Sequence, residues 1–364
     1  MPRATDLGIS IGLMPRGPTN SVLDVSGVGL GHATVTRDEA DPPEGRGRAR
    51  TGVSVLVVAE DAFDRMVPAG GAVLNGAGEC TGFLTATEWG SLETPVFLTS
   101  TMQLGRVYDA ACELMLEREP QAAEDVVIPV VAECDDSFLN DARRMQVGRD
   151  DVERAWAAAL DSRGAVGPPE EGSVGSGTGM SCLGFKGGIG TASRVTPEGQ
   201  TVGVLLMTNF GDRDRLSVDG VPVGRLLGDP LTSSLPKPAG SCIGIVVTDA
   251  PVDGAGCARL ARRVGLGLAR TGSVAHHGSG EIFLALGTGL RLNRDGCFED
   301  DAARRTLVSG RALDPLFSAV VEASEEAVLN SLLMSPTVQG RSDNVSEGLD
   351  PAAVVRLLRE HGRL

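Results

Sequence analysis

The feature that most restricts this chain is a series of short apolar runs, each closed off by turn residues. Val53–Val58 is β-branched and follows a charged, Pro-containing loop at Arg37–Arg50, while Gly70–Gly76 and Val96–Leu98 are flanked by turns. Val127–Glu133, Val202–Met207, Ser241–Val247 and Ile282–Leu286 continue the series. These runs read as buried strands. Between them, helical spacing appears in Val107, Ala111, Leu114 and Met115, and again in Val152, Ala155, Trp156 and Ala159 behind an Asp150-Asp151 cap. Ala258, Ala261, Val264, Gly265 and Leu268 predict a helix with small residues on its buried side, Leu316 to Leu332 a long one, and Asp350-Pro351 the cap of a terminal one. Strands with helices interspersed, without an internal repeat, predict a layered α/β sandwich.

Two stretches interrupt the pattern. Ser162–Gly179 and Asp212–Gly240, rich in Gly, Pro and charge, read as linkers within one large α/β unit. Val22, Leu23 and Val25 read as a strand running into a glycine turn at Gly27–Gly31. The segment Gly184–Arg194 is glycine-rich but fits neither phosphate-loop spacing, since Lys186 is followed by Gly187, and it reads as a tight strand pair.

Composition narrows the function. With 49 glycines and 3% aromatic residues, backbones must approach one another closely. A formal charge of -15 repels nucleic acid and anionic membranes, and no apolar window approaches the length of a membrane span. Met1–Asn20 carries no signal-peptide pattern, so a cytoplasmic location is expected. The seven scattered cysteines read as small buried hydrophobes in a reducing compartment, and four histidines with no paired spacing leave little for a metal site.

Candidate chemistry centres on Gly240-Ser241, where a linker delivers a serine to the start of a buried strand. One reading is loop punctuation. The other is self-cleavage between the two residues, which makes Ser241 an N-terminal nucleophile whose own amine, titrating near neutrality, serves as the base. Ser279 and Glu281, at i and i+2 of a strand start, project from one face and suit the partners of such an amine; alone they also fit a solvated edge. Asn209, in the loop after a buried strand, offers an amide to a developing oxyanion or is a turn residue before Gly211. Glu133, at the end of its strand, suits a substrate ammonium or a rim position. His276 and His277 lie near Ser279, but no G-x-S-x-G elbow supports a triad.

Taken in order, Asn20–Val25 with Val28–His32, Val73–Glu79, Pro129–Glu133, Leu139–Asp141, Gly177–Gly179, Phe185–Thr191, Gly240-Ser241, Thr248–Pro251 and Ser279–Glu281 resemble the DmpA-type L-aminopeptidase/D-Ala-esterase/amidase family, which includes the β-peptidyl aminopeptidases. The resemblance implies a four-layer α/β/β/α sandwich, similar to N-terminal nucleophile hydrolases but with different connectivity. It implies self-cleavage into residues 1–240 and 241–364, assembly of the cleaved heterodimers into homo-oligomers, and no metal or cofactor. By the same resemblance Ser241 is the nucleophile, Asn209 the oxyanion donor, Ser279 and Glu281 the partners of its amine, and Glu133 the anchor for the ammonium of a small peptide, amide or ester. Phe138 stands where the family leads one to expect a Tyr or Trp, and Cys242 and Gly244 replace bulkier aliphatics, which bears on substrate preference. Acyl transfer like that of the ornithine acetyltransferases, or an uncleaved binding protein of the same fold, are the alternative readings.

Overall fold

In the computed structural model, which describes residues 1–228, 240–300 and 304–364, the apolar runs build two sheets. The first is four-stranded, in the order β1-β2-β5-β6: β1 (Gly29–Asp38), β2 (Arg48–Val57), β5 (Val96–Ser100) and β6 (Val130–Cys134). The second is six-stranded, in the order β4-β3-β12-β11-β10-β9: β3 (Val67–Gly76), β4 (Ser91–Leu92), β9 (Gly188–Val195), β10 (Thr201–Asn209), β11 (Ser241–Thr248) and β12 (Gly280–Gly287). The longer helices are α1 (Leu104–Arg118), α2 (Arg149–Asp161), α3 (Gly254–Thr271), α4 (Asp314–Leu333) and α5 (Pro351–Glu360).

Three apolar clusters set the layers. Val53, Val55 and Phe97 pack with Leu114 and Trp156 of α1 and α2. On the other face of that sheet, Leu56, Leu98 and Ala132 meet Leu205, Ile243 and Leu284 of the second sheet. The second sheet's far side, with Leu206, Val246 and Phe283, packs on Leu260, Val264, Val320 and Ala327 of α3 and α4. The order is therefore helices, sheet, sheet, helices, as the resemblance implies. Both sheets are covered on both faces, so β11 and β12 are buried at every residue and read as continuous apolar runs, not as alternating ones.

Glycine lets these layers close. Helices α3 and α4 approach at Gly267, where a Cβ would lie 2.5 Å from that of Ser324. Gly265, expected on the buried side, is only half-buried; Gly256 and Gly267 take that role. On β9, a Cβ at Gly190 would come within 1.9 Å of the Ala327 carbonyl oxygen of α4. Gly190→Ala is accordingly expected to push the strand off the helix and to lower stability by about 1–3 kcal/mol or more, read as a fall in the urea midpoint.

Several local readings change. Val22–Asp24 is a short 3-10 helix, with a capping box between Ser21 and Asp24, and not a strand. Gly29 and Gly31 lie inside β1, because a side chain at either would strike the α2 backbone at Ala159. Helix α2 is capped by the backbone of Gly148; Asp151 lies in its first turn and accepts from the Gly148 N–H at 2.8 Å. Ser162–Gly179 is a solvated linker only in its first half: 162–170 are exposed or half-buried, whereas Glu171 and Gly175–Gly177 are buried. In the second linker, Arg213–Arg215 and Val223–Leu226 form short helices, while 229–239 lie outside the described residues. Lys186 sits on the small β7–β8 ribbon (Ser181–Cys182 and Phe185–Lys186), where its buried ammonium donates to the carbonyls of Gly177, Met180 and Gly187. Five of the seven cysteines are buried; Cys112 is half-buried and Cys297 exposed. No helix among the described residues is long and apolar enough to cross a membrane.

A buried polar network joins the first twenty residues and β9 to α4. Arg194, with no exposed surface, donates to Glu326 at 2.7 Å, to Glu322 at 3.3 Å and to the Ile11 carbonyl at 2.6 Å. Asn20 donates to the other oxygen of Glu326 at 2.7 Å, and the N–H groups of Leu13 and Met14 close on the Glu322 carboxylate at 2.9 and 3.0 Å.

Candidate active site

Strand register brings the site together. β10 and β11 pair antiparallel with Asn209 opposite Ser241, and β11 and β12 pair parallel with Ser241 beside Gly280. Three strand ends thus converge. Asn209 is the last residue of its strand and not part of the following loop, which fixes its backbone against that of Ser241.

Ser241 is buried, at 5% exposure. Its hydroxyl donates to the Gly240 carbonyl at 2.8 Å and accepts from the Gly280 N–H at 3.3 Å. The same N–H also lies 3.2 Å from the Gly240 carbonyl oxygen. Oγ is therefore held against the carbonyl of the bond it would attack. Cys242, its neighbour, is buried and burial pushes its thiol well up, so it stays protonated and offers no rival nucleophile.

Asn209 is oriented from both ends of its carboxamide. Oδ1 accepts the Ser181 N–H at 2.8 Å and Nδ2 donates to the Asp135 carbonyl at 2.7 Å, which leaves the second N–H without a partner among the described residues. Ser279 and Glu281 flank Gly280, and the Ser279 hydroxyl donates to Glu281 Oε1, so the same-face reading holds. Glu281 Oε2 is buried without a hydrogen-bond partner among the described residues. Burial raises the Glu281 pKa, opposed by the Ser279 hydrogen bond and the nearby His276.

Glu133, 3% exposed, is the penultimate residue of β6. Its Oε1 accepts the Glu79 N–H at 2.8 Å and its Oε2 accepts from the Thr101 hydroxyl. Burial again raises its pKa, with the charges of Asp135 and Glu79 adding to the rise. A Cβ at Gly78 would lie 3.0 Å from Glu133 Oε1 and 3.8 Å from the Gly280 Cα, so Gly78 stands between this carboxylate and the start of β12. Glu171 and Glu326, equally buried, are each paired with an arginine, at 2.6 and 2.7 Å. Glu133 and Glu281 have no ion-pair partner among the described residues. Buried carboxylates left uncompensated are a ready place for an ammonium group.

A cleft of about 1440 Å³ opens against this end of the sheet, with Phe138, Asn209, Gly240, His276 and Ser346 on its walls. Ser241, Ser279, Glu281 and Glu133 are not among its lining residues. Phe138 presents a ring without a hydroxyl, and its backbone carbonyl accepts from Asn344 at 2.7 Å. His276 lies 3.5 Å from Asp212 on the cleft wall, and among the described residues no histidine bonds Ser241.

Three contributors were not singled out from the sequence. Asn75, opposite Glu281 on β3, donates through one amide to the carbonyls of His276, His277 and Ser279 and holds the turn that enters β12. Thr101 and Gly78 frame Glu133. Asn75 and Gly78 sit in an Asn-Gly-Ala-Gly stretch whose ordinary reading is a turn.

The sequence pattern of peptidase family S58 matches residues 20–346. The chain is 36% identical over 374 aligned positions to the β-peptidyl aminopeptidase BapA of Sphingosinicella xenopeptidilytica, covering 98% of this chain and 91% of that one. A β-aminopeptidase from a Burkholderia species superposes with a TM-score of 0.86 at 40% identity, covering 99% of each chain. The L-aminopeptidase D-Ala-esterase/amidase of Ochrobactrum anthropi, described as a prototype for the serine aminopeptidases and a new variant among the Ntn hydrolase fold, superposes with a TM-score of 0.87 at 34% identity, covering 100% of each chain. With its motifs in order, its layers matched and its relatives aligned from end to end, this chain belongs to peptidase family S58.

Proposed function

We propose that the chain is a self-processing serine aminopeptidase that removes N-terminal residues from short peptides, amides or esters. The observation that carries this reading is the register that sets Ser241 opposite Asn209 and beside Gly280, between Ser279 and Glu281. In the first event Ser241 Oγ attacks the Gly240 carbonyl carbon. The peptide C–N bond breaks, the Ser241 nitrogen takes the proton, and water hydrolyses the ester to release a Gly240 carboxylate. Residues 1–240 and 241–364 stay together, and Ser241 gains a free amine.

In turnover that amine takes the Oγ proton as Oγ attacks the substrate carbonyl. The free N–H of Asn209 meets the oxyanion, the amine returns its proton to the leaving nitrogen, and water resolves the acyl-enzyme. Ser279 and Glu281 hold the Ser241 amine, and Glu133 holds the ammonium of the substrate. Phe138 supplies apolar wall to the cleft. The relatives' names support substrates carrying a free amino group. Oligomers of the cleaved heterodimer belong to the same proposal.

Intact mass of freshly purified protein tests the first event: two fragments, the second beginning at Ser241, are expected, and an uncut chain overturns the nucleophile assignment. Incubation of an alanyl anilide with and without ornithine tests the second: free alanine is expected, and acylated ornithine would replace hydrolysis by transfer. Asn209→Ala should lower kcat by about 10²–10³-fold with little change in KM, measured by steady-state kinetics.

A further inference from the structure

Gly78 is a glycine without a backbone reason to be one. Its φ is not in the left-handed region, and nothing of the main chain lies within 3.4 Å of where its Cβ would stand. Gly280 differs, because a Cβ there would strike the Ala77 carbonyl oxygen at 2.5 Å. Among the described residues the one atom closer than 3.4 Å to a Cβ built at position 78 is Glu133 Oε1, at 3.0 Å. What the missing side chain keeps clear is therefore one oxygen of a buried, unpaired carboxylate, on the side that faces Gly280 and so Ser241. Gly78 and Thr101 are themselves exposed, while Glu133 is buried.

The carboxylate is also held still. The Glu79 N–H fixes one oxygen and the Thr101 hydroxyl the other, so the group cannot rotate about its last bond without losing both. A fixed, desolvated carboxylate beside a space one methyl group would fill matches an incoming primary ammonium, which brings its own donors and charge.

We infer that Gly78 is the specificity-determining residue that admits the substrate's ammonium group to Glu133, and that Thr101 is a positioning residue acting through Glu133. This assignment rests on the aminopeptidase reading above. The charged neighbours of Glu133 are Glu79 and Asp135; the facing thiols of Cys80 and Cys134 are pushed up by burial and stay neutral. The Thr101 hydrogen bond lowers the Glu133 pKa against burial. Without it the carboxylate protonates at higher pH, so ammonium binding fails earlier on acidification.

The test compares β-alanyl and L-alanyl p-nitroanilide with propionyl p-nitroanilide, which lacks only the amine. Gly78→Ala is expected to raise KM and to cut the kcat/KM preference for the amino substrates by about 10–100-fold, the loss of one charge-assisted contact. Thr101→Val, which keeps the shape, should also raise KM and shift the acid limb of kcat/KM upward in pH, and Thr101→Ser should restore both. Gly78→Ala and Thr101→Val enzymes that keep the wild-type preference and the wild-type acid limb overturn the assignment. A wild-type enzyme that turns over propionyl and alanyl substrates alike would instead remove Glu133 as anchor, and one that turns over neither would remove the aminopeptidase reading itself.

Discussion

Ser241→Ala is expected to leave the chain whole at 364 residues and to abolish hydrolysis, a loss on the order of 10⁴–10⁶-fold. Both effects come from one atom. Oγ lies 2.8 Å from the Gly240 carbonyl oxygen, and on the proposed mechanism it attacks that carbonyl, so without it neither the ester nor the new amine forms. Nothing nearby substitutes: Cys242 is buried with a protonated thiol, and the histidines of the described residues do not bond Ser241. Mass spectrometry and an anilide assay on one preparation read both outcomes. A variant found cut at the Gly240-Ala bond would mean that another protease does the cutting. Ser241→Thr keeps a hydroxyl and should keep some cleavage, which separates loss of chemistry from loss of fold.

The second large effect is on cohesion. Arg194→Met is expected to destabilise the fold by about 3–5 kcal/mol, since it leaves the buried carboxylates of Glu322 and Glu326 without their shared cation. Arg16 reaches Glu326 at 3.3 Å but is partly exposed and touches only that one carboxylate. Arg194 lies in the fragment expected before the cut, and Glu322 and Glu326 in the one after it. In a cleaved protein the substitution should therefore appear as separation of the two fragments on size exclusion. On a Ser241→Ala background, where the chain is expected to stay whole, it should appear as a lower urea midpoint at unchanged m-value. Arg194→Lys should rescue poorly, because one ammonium cannot span two carboxylates and the Ile11 and Ser193 carbonyls together. Adding Glu322→Gln and Glu326→Gln to Arg194→Met should recover part of the loss, because the uncompensated charges are then removed.

Much of the layer architecture was legible because burial on both faces writes continuous apolar runs for β10, β11 and β12, and burial on one side writes helical spacing for α1 and α2. The misread stretches share one cause. Val22–Asp24 and the mostly buried residues 171–179 are held by polar partners distant in sequence, as when the Val22 N–H donates to Thr191 at 2.7 Å and Arg3 pairs with Glu171. Local pattern carries no record of such partners, so Val22–Asp24 reads as a strand and the buried half of Ser162–Gly179 as a linker.

The site divides in the same way. The pairing of Ser279 with Glu281 was suggested, with a solvated edge as the other reading, by the two-residue period of a strand, and the suspicion attached to Gly240-Ser241 by a serine at the head of an apolar run. Asn209 opposite Ser241, and Glu133 framed by Glu79, Thr101 and Gly78, were decided only by tertiary structure. Periodicity states which way a side chain leans from its own strand. Which strand lies beside it, and in what register, is settled by the packing of the two sheets, and that packing turns separate strand ends into one site.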